Sequence, residues 1–228
     1  MKEMPFTEHL EELRRRIIRS LIYLIIGIII GFFISPYILN YIKKPVKKIY
    51  FFSPPEAFLA KLKISILISF FLVFPLIIFE IWRFVEPGLY KEEKEKILPY
   101  IIFGVFLFYL GAFFSAFLAY PIGIKFLLSF GDNIIEPLIG IDNLFKIFFY
   151  LILSFSILFE LPIFILILTK IGIISPEILQ KRRREIIVAI FIITAIITPS
   201  VDAITLLLIS IPLYLLFEIS IIIAKKAK

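Results

Sequence analysis

The residues near the start of the chain that are most able to do chemistry form a short run of acids followed by arginines. The stretch EHLEELRRR, residues 8–16, places Glu8, Glu11 and Glu12 directly before three consecutive arginines. Carboxylates placed just outside an apolar run do not help membrane insertion, so one interpretation is that they bind a partner.

The same stretch also has a purely structural interpretation. As a helix, it pairs Glu11 with Arg15 and Glu12 with Arg16 at a spacing of four residues, and it gathers its apolar residues on one face. An amphipathic segment with charges that satisfy one another would lie on a membrane surface as a lead-in to the apolar run that follows. Both interpretations predict a helix.

A second acidic segment, EPGLYKEEKEK at residues 86–96, contains Glu92 and Glu93. Taken alone, it is typical of a solvated turn of mixed charge. If it shares a membrane face with residues 8–16, the two acidic segments could together receive a basic peptide that is followed by an apolar one.

Glu160 is the most unusual acid, because it lies near the middle of a long apolar run. An ionised carboxylate at the centre of a membrane helix costs about 3 kcal/mol on insertion scales. We consider two interpretations: a protonated or hydrogen-bonded carboxyl that ties two helices together, and a docking point for a partner helix or a proton-linked group. Pro162, two residues later, predicts a kink and a local hollow.

Other chemistry is sparse in the sequence. The chain has no cysteine and one histidine, His9, and it contains no Gly-rich phosphate loop and no zinc-hydrolase or nucleophile-elbow motif. Its only aspartates are Asp132, Asp142 and Asp202, all outside the centres of the apolar runs. We therefore predict no catalytic residues, no metal site, no cofactor and no enzymatic activity.

These residues must be positioned by membrane helices. Of the 228 residues, 61% are hydrophobic and 27 are Phe, which is far outside the range of soluble domains. The apolar runs lack the alternation of barrel strands, and roughly 20 helical residues span a bilayer core. The sequence predicts an all-α integral membrane protein with six transmembrane helices, at residues 17–39, 64–82, 97–120, 147–169, 186–197 and 203–223.

The fifth run is short, since residues 186–197 would reach only about 18 Å as a helix, so a re-entrant segment is an alternative. Charge favours a full crossing. If six helices alternate, 17 of the 25 Lys and Arg residues, including every arginine, fall on the side of the two termini. The positive-inside rule then predicts that both termini are cytoplasmic. From the lengths of their apolar runs, helices five and six are predicted to be short. The whole chain, 1–228, is predicted to be a single transmembrane domain, with residues 1–16 as a cytoplasmic amphipathic segment and 224–228 as a cytoplasmic tail.

Six short motifs occur in order and at fitting spacing along essentially the whole chain. They are HLEELRRR at 9–16, SPPEAF at 53–58, PGLYKEE at 87–93, FELP at 159–162, TPS at 198–200 and IPLYLLFE at 211–218. Together they resemble the TatC family, the multi-spanning subunits of the twin-arginine protein translocase.

The resemblance implies a function. A member of this family would be the receptor and core scaffold of the translocase in the prokaryotic inner membrane. It would bind the twin-arginine signal peptides of folded proteins and organise the single-helix partners TatA and/or TatB for export driven by the proton-motive force. The resemblance also implies that the protein self-associates in the complex and contacts membrane lipid. It implies no nucleic-acid partner.

The resemblance also implies site residues. It assigns signal-peptide binding to Glu12, Arg14, Phe84, Pro87 and Glu93. Glu11 and Glu92 are the alternatives to the two acids beside them. The intramembrane docking site for partner helices falls on Glu160 and Thr198, and Leu206 stands where many relatives carry a glutamine.

Two other function classes remain as alternatives. A proton- or cation-coupled secondary transporter would use Glu160, but it would need several convergent polar groups near the midplane, where this acid stands nearly alone. An intramembrane enzyme would need a Ser-His pair, a metal cluster or an aspartate dyad.

Overall fold

The structure of the chain is a computed structural model. It describes residues 6–46, 48–88, 90–131, 137–170, 172–199 and 202–226, without the side chains of residues 6, 7, 91–93, 96 and 226. Over these residues the fold is helical, with one isolated bridge between Tyr50 and Gly140.

The described residues form nine α-helices, with a 3₁₀ turn at Glu86–Gly88 before α3 and a π turn at Ser115–Ala119 after it. The helices are α1 (Phe6–Lys43), α2 (Glu56–Val85), α3 (Lys91–Phe114), α4 (Tyr120–Leu128), α5 (Ile141–Leu158), α6 (Leu161–Lys170), α7 (Pro176–Lys181), α8 (Arg183–Ile197) and α9 (Ala203–Lys226).

Five segments of the described chain are long and apolar enough to cross a membrane: Glu8–Lys43, Glu56–Gly88, Ile97–Leu128, Ile141–Lys170 and Ala203–Lys225. They confirm the predicted all-α membrane fold. Helix α8, which contains the predicted fifth span, has 15 residues and would rise about 22 Å. The count of six spans and the orientation of the termini stay predictions.

The segment with the acids and arginines is not a separate element. Helix α1 runs without interruption for 38 residues, so the amphipathic lead-in and the first apolar run form one rod. This confirms the helical interpretation of residues 8–16. It also fixes Glu12 rigidly relative to the apolar residues that follow it.

The chain divides into two compact units. The first comprises the described residues up to Val105 together with Ile139–Phe145, and it is built mainly on the pairing of α1 with α2. Gly27 and Gly31 let the two helices approach closely, because a Cβ at Gly31 would lie 2.5 Å from the carbonyl oxygen of Ser65. Ser69 faces Gly27 and donates a hydrogen bond of 2.7 Å to the carbonyl of Leu24. Small residues at such contacts are typical of membrane helix pairs.

The second unit comprises the described residues of Phe106–Leu138 and Lys146–Lys228. In it α6 packs against α9, and the core includes fully buried Phe155, Leu213 and Ile221. The fourth apolar run is interrupted between α5 and α6 at Phe159 and Glu160. Pro162 has no backbone N–H to donate to the preceding turn, which explains the break and is consistent with the predicted kink.

Candidate functional site

At the N-terminal end of α1, one arginine links two acids. The Nε of Arg16 lies 3.1 Å from Oε1 of Glu12, and its Nη2 donates to the same oxygen. Its Nη1 donates a hydrogen bond of 2.9 Å to Oε2 of Glu80, on α2. The predicted Glu12–Arg16 pair is therefore present, and it is joined to an acid 64 residues away from Arg16.

Burial increases along this cluster. The exposed fraction of the side chain is 21% for Glu12, 15% for Arg16 and 5% for Glu80. Two further groups face Glu80: the hydroxyl of Tyr23 at 3.4 Å and the guanidinium of Arg19 at 4.0 Å. A buried carboxylate needs such partners because desolvation without them is costly.

A ring stack connects α1 to the end of α2. The imidazole of His9 lies on the ring of Phe84, with centroids 4.3 Å apart and an angle of 20° between the planes. Pro87 follows in the 3₁₀ turn that begins at Glu86, and the carboxylate of Glu86 accepts from Lys94 at 3.5 Å. Helix α1, the end of α2 and the start of α3 thus meet at this end of the first unit.

The structure brings together part of the predicted signal-peptide site. Glu12 and Phe84 lie at the same end of the α1–α2 pair, and Pro87 lies three residues after Phe84. Arg14 and Glu11 are exposed, and neither forms an ion pair with a described residue. The predicted Glu11–Arg15 pair is likewise not found among the described ion pairs. Glu92 and Glu93 lie in the first turn of α3, but their side chains are outside the described part of the chain.

Glu80 has a partner that sequence reasoning missed. From the sequence it is a carboxylate near a helix end, which can reach lipid headgroups and for which a structural role is favoured. In the structure it is almost completely buried against α1. No local spacing could have paired it with Arg16, because the contact depends on how α1 and α2 pack.

The residues predicted to dock partner helices lie in the second unit. Glu160 is half-buried at the α5–α6 break, where its backbone carbonyl accepts from the N–H of Phe164 at 3.0 Å. Its carboxylate forms no hydrogen bond or ion pair with a described residue. Thr198 is buried at the end of α8 and donates a hydrogen bond of 2.7 Å to the carbonyl of Thr194.

Helices α8 and α9 are linked by buried hydroxyl groups that the sequence did not single out. Ser210 donates to Oγ1 of Thr194 at 3.2 Å, and Thr194 donates to the carbonyl of Ile190 at 2.8 Å. Beside this contact lies an apolar cleft of about 130 Å³ lined by Ile187, Ile190, Phe191, Ser210, Ile211 and Tyr214.

At the end of the α8–α9 pair where α8 begins, a second acid is held by hydrogen bonds. Glu218 accepts from Arg183 at 2.8 Å and from the hydroxyl of Tyr214 at 2.7 Å. Both of its oxygens are therefore occupied. This ion pair has the same chemistry as Arg16 and Glu80 but lies in the other unit.

Known proteins similar to this chain share one family. The family model described as "Sec-independent protein translocase protein (TatC)" matches residues 8–212. The TatC protein of Aquifex aeolicus is 40% identical over 98% of this chain and 96% of its own length. That of Carboxydothermus hydrogenoformans is 41% identical over 100% of this chain and 96% of its own. A crystal structure titled twin arginine translocase receptor TatC in DDM superimposes with a TM-score of 0.74 at 38% identity, covering 95% of this chain and 99% of the other.

Proposed function

The chain belongs to the TatC family of Sec-independent protein translocase proteins, and from this premise we propose that it is the receptor and core scaffold of the twin-arginine translocase. It is a multi-pass membrane protein and a component of that translocase. Its proposed ligands are the twin-arginine signal peptides of folded proteins, and its proposed partners are the single-helix subunits TatA and/or TatB.

The signal-peptide site is proposed at the end of α1, around Glu12, Phe84 and Pro87, with Glu93 as the second acid. One observation supports this assignment above the others. Glu12 is still partly exposed, and its Oε2 has no hydrogen-bond partner among the described residues, so it can accept an arginine from outside. Arg14, Glu11 and Glu92 complete the proposed site.

Charge alone does not supply the affinity. Two charge-assisted hydrogen bonds contribute about 3 to 6 kcal/mol, whereas micromolar binding requires about 8 kcal/mol. The apolar stretch of the signal would supply the remainder. The exposed apolar residues of α1, which include Ile18, Ile22 and Ile25, are a suitable surface because they lie on the same continuous helix as Glu12, roughly one to four turns further along it.

The partner-docking site is proposed around Glu160 and Thr198. The carboxylate of Glu160 lies within the Ile141–Lys170 span without a described partner, so a polar group on a single membrane helix would satisfy it. In this proposal Glu160 does not bind a transported solute. The family assignment favours the translocase over a secondary transporter.

The remaining proposals concern topology and setting. The protein would lie in the prokaryotic inner membrane as a single domain, 1–228, with α8 as the fifth of six crossings and both termini in the cytoplasm. It would self-associate in the complex. It would have no enzymatic activity and no cofactor, and it would bind no nucleic acid.

The first experiment measures binding of a fluorescent twin-arginine signal peptide to the purified full-length protein in detergent. The comparison peptide has both arginines replaced by lysine, and the variants are Glu12→Ala and Glu93→Ala. We expect wild type to prefer the arginine peptide, and each variant to lose at least tenfold in affinity for it, because a lost charge-assisted bond costs about 1.5 to 3 kcal/mol.

The matched control is Glu185→Ala, which removes an exposed acid of the second unit that is paired with Arg182 at 3.4 Å. It should bind like wild type. If all four proteins bind both peptides equally, Glu12 and Glu93 are not the receptor acids.

A further inference from the structure

The acid proposed to receive the signal already holds an arginine of its own chain. Arg16 contacts Oε1 of Glu12 through two nitrogens, with its Nε at 3.1 Å, while Oε2 has no described hydrogen-bond partner. Arg16 is also only 15% exposed. A guanidinium that approaches Glu12 from outside therefore meets a carboxylate of which one oxygen is occupied.

The same arginine has a second partner on the opposite side. Its Nη1 donates to Oε2 of Glu80 at 2.9 Å, and Glu80 also faces Tyr23 and Arg19. These groups come from both helices that pack at this point, and they leave the cluster of two acids and two arginines without net charge. Arg16 can therefore release Glu12 and keep a partner, without leaving a buried charge unpaired.

We propose that Arg16 is a resident ligand of Glu12, that an arginine of the signal peptide displaces it, and that Glu80 retains Arg16 during the exchange. This inference rests on the proposed function, since it assumes that Glu12 binds the signal. In it, Glu12 is the binding residue, and Arg16 and Glu80 are positioning residues that set how often Glu12 is available.

The exchange has consequences of opposite sign for the two positioning residues. The apparent dissociation constant equals the intrinsic one divided by the fraction of molecules in which Glu12 is available. Removing the guanidinium of Arg16 raises that fraction, so binding tightens. Removing the charge of Glu80 leaves Arg16 with Glu12 as its one acidic partner among the described residues, so the fraction falls and binding weakens.

Competition also predicts what does not change. The fraction of available Glu12 multiplies the affinity of every ligand of that carboxylate equally. The dissociation constants of the arginine and lysine peptides should therefore change by the same factor. The dissociation constant of the lysine peptide divided by that of the arginine peptide should then stay as in wild type. A variant that merely deformed the site would lower this ratio.

The test uses the full-length protein in detergent and the same two fluorescent peptides, with the variants Arg16→Gln, Arg16→Lys and Glu80→Gln. We expect Arg16→Gln to bind both peptides roughly threefold to tenfold more tightly, and Glu80→Gln to bind both more weakly by a similar factor. Arg16→Lys keeps the charge but not the fork, so it should lie between wild type and Arg16→Gln.

The matched controls are Arg183→Gln and Glu218→Gln, which break an ion pair of the same chemistry in the second unit. Neither should change peptide affinity. Thermal unfolding of each variant shows whether it is folded, and Arg16→Lys replaces Arg16→Gln if the latter is not.

Three results would overturn the inference. If the Arg16 and Glu80 variants both weaken binding, or neither changes it, while Glu12→Ala abolishes the arginine preference, the cluster is structural and the receptor assignment stands. If the variants shift the two peptides by different factors, Arg16 shapes the site and does not compete for it. If Glu12→Ala binds like wild type, the proposed function fails and the inference fails with it.

Discussion

At the scale of single residues, three carboxylates with similar sequence surroundings have different environments. Glu80 and Glu218 are held by arginines of α1 and α8, respectively. Glu160 has no described partner although it lies within a membrane span. A carboxylate that is satisfied within the chain stabilises a helix pair, whereas one that is not satisfied is available to another molecule.

Replacing Glu160 by glutamine tests its availability to a partner helix. In the proposed docking site, the loss of charge should reduce export in cells and crosslinking to TatA or TatB by at least severalfold, because the partner loses a charge-assisted hydrogen bond. The measurement is site-specific photocrosslinking in membranes together with export of a reporter substrate. Glu218→Gln serves as the control, and normal crosslinking by Glu160→Gln would show that the acid has no docking role.

Asp202 provides a pH-dependent prediction. It caps α9, because its Oδ2 accepts from the backbone N–H of Thr205 at 2.8 Å. This hydrogen bond lowers the pKa of Asp202 below its ordinary value of 3.8.

A lowered pKa contributes stability that is present at neutral pH and is lost as the pH falls from about 4 through the folded-state pKa. Asp202→Asn retains an oxygen that can cap the helix but does not titrate. We expect wild type to be modestly more stable than Asp202→Asn at pH 7, and the difference to shrink progressively as the pH falls below about 4. Denaturant unfolding in detergent at both pH values measures it, and a difference that increases toward acid would contradict the prediction.

At the scale of elements, the pairing of α1 with α2 positions the proposed receptor site. The ion pair between Arg16 and Glu80 and the stack of His9 on Phe84 both require the two helices to keep their spacing and register. Gly27 and Gly31 permit that spacing further along the same pair.

Gly31→Ala tests this requirement. Its Cβ would lie 2.5 Å from the backbone oxygen of Ser65, which cannot rotate away, so the helices must separate. We expect a loss of about 1 to 3 kcal/mol in unfolding free energy and weaker binding of the signal peptide. Gly88→Ala is the control for stability, since nothing lies within 4 Å of a Cβ there. Equal stability of Gly31→Ala and wild type would show that α1 and α2 are not tightly packed at this point.

At the scale of the whole molecule, the number of crossings decides which residues share a membrane face. Helix α8 has 15 residues, and together with α9 it connects two basic segments, 181–184 and 225–228, which the charge argument places on one side. Short helices of this kind require local thinning of the bilayer or charged ends that reach the interface.

Single cysteines can test the topology without background, because the chain has none of its own. We expect a membrane-impermeant maleimide added outside intact cells to label Phe130→Cys, and to label Arg182→Cys and Lys225→Cys only after permeabilisation. All three positions are exposed. If Lys225→Cys were labelled from outside and Arg182→Cys were not, α8 would not cross and the chain would have five spans. If Arg182→Cys were labelled from outside, the proposed topology would be wrong, because four crossings before Arg182 and a cytoplasmic N-terminus place this residue in the cytoplasm.

The sequence by itself determined the class of the protein and the short-range features of its sites. Apolar runs of membrane length predicted the helices because a bilayer requires every backbone group to be bonded within its own segment. The spacing of four residues predicted the contact of Glu12 with Arg16, and Pro162 predicted a disturbance that the structure places at Glu160. These features depend on neighbours along the chain, so local geometry is sufficient to predict them.

Only the tertiary structure decided which of those residues are already satisfied. Glu80 meets Arg16, His9 meets Phe84, and Arg183 meets Glu218 across helix pairs whose packing is not encoded in any local spacing. In the sequence, a carboxylate that is paired in the fold and one that is not are both surrounded by the same kind of apolar residues. Their difference arises from the close approach of two helices, which depends on small residues and side-chain shape summed over the whole contact.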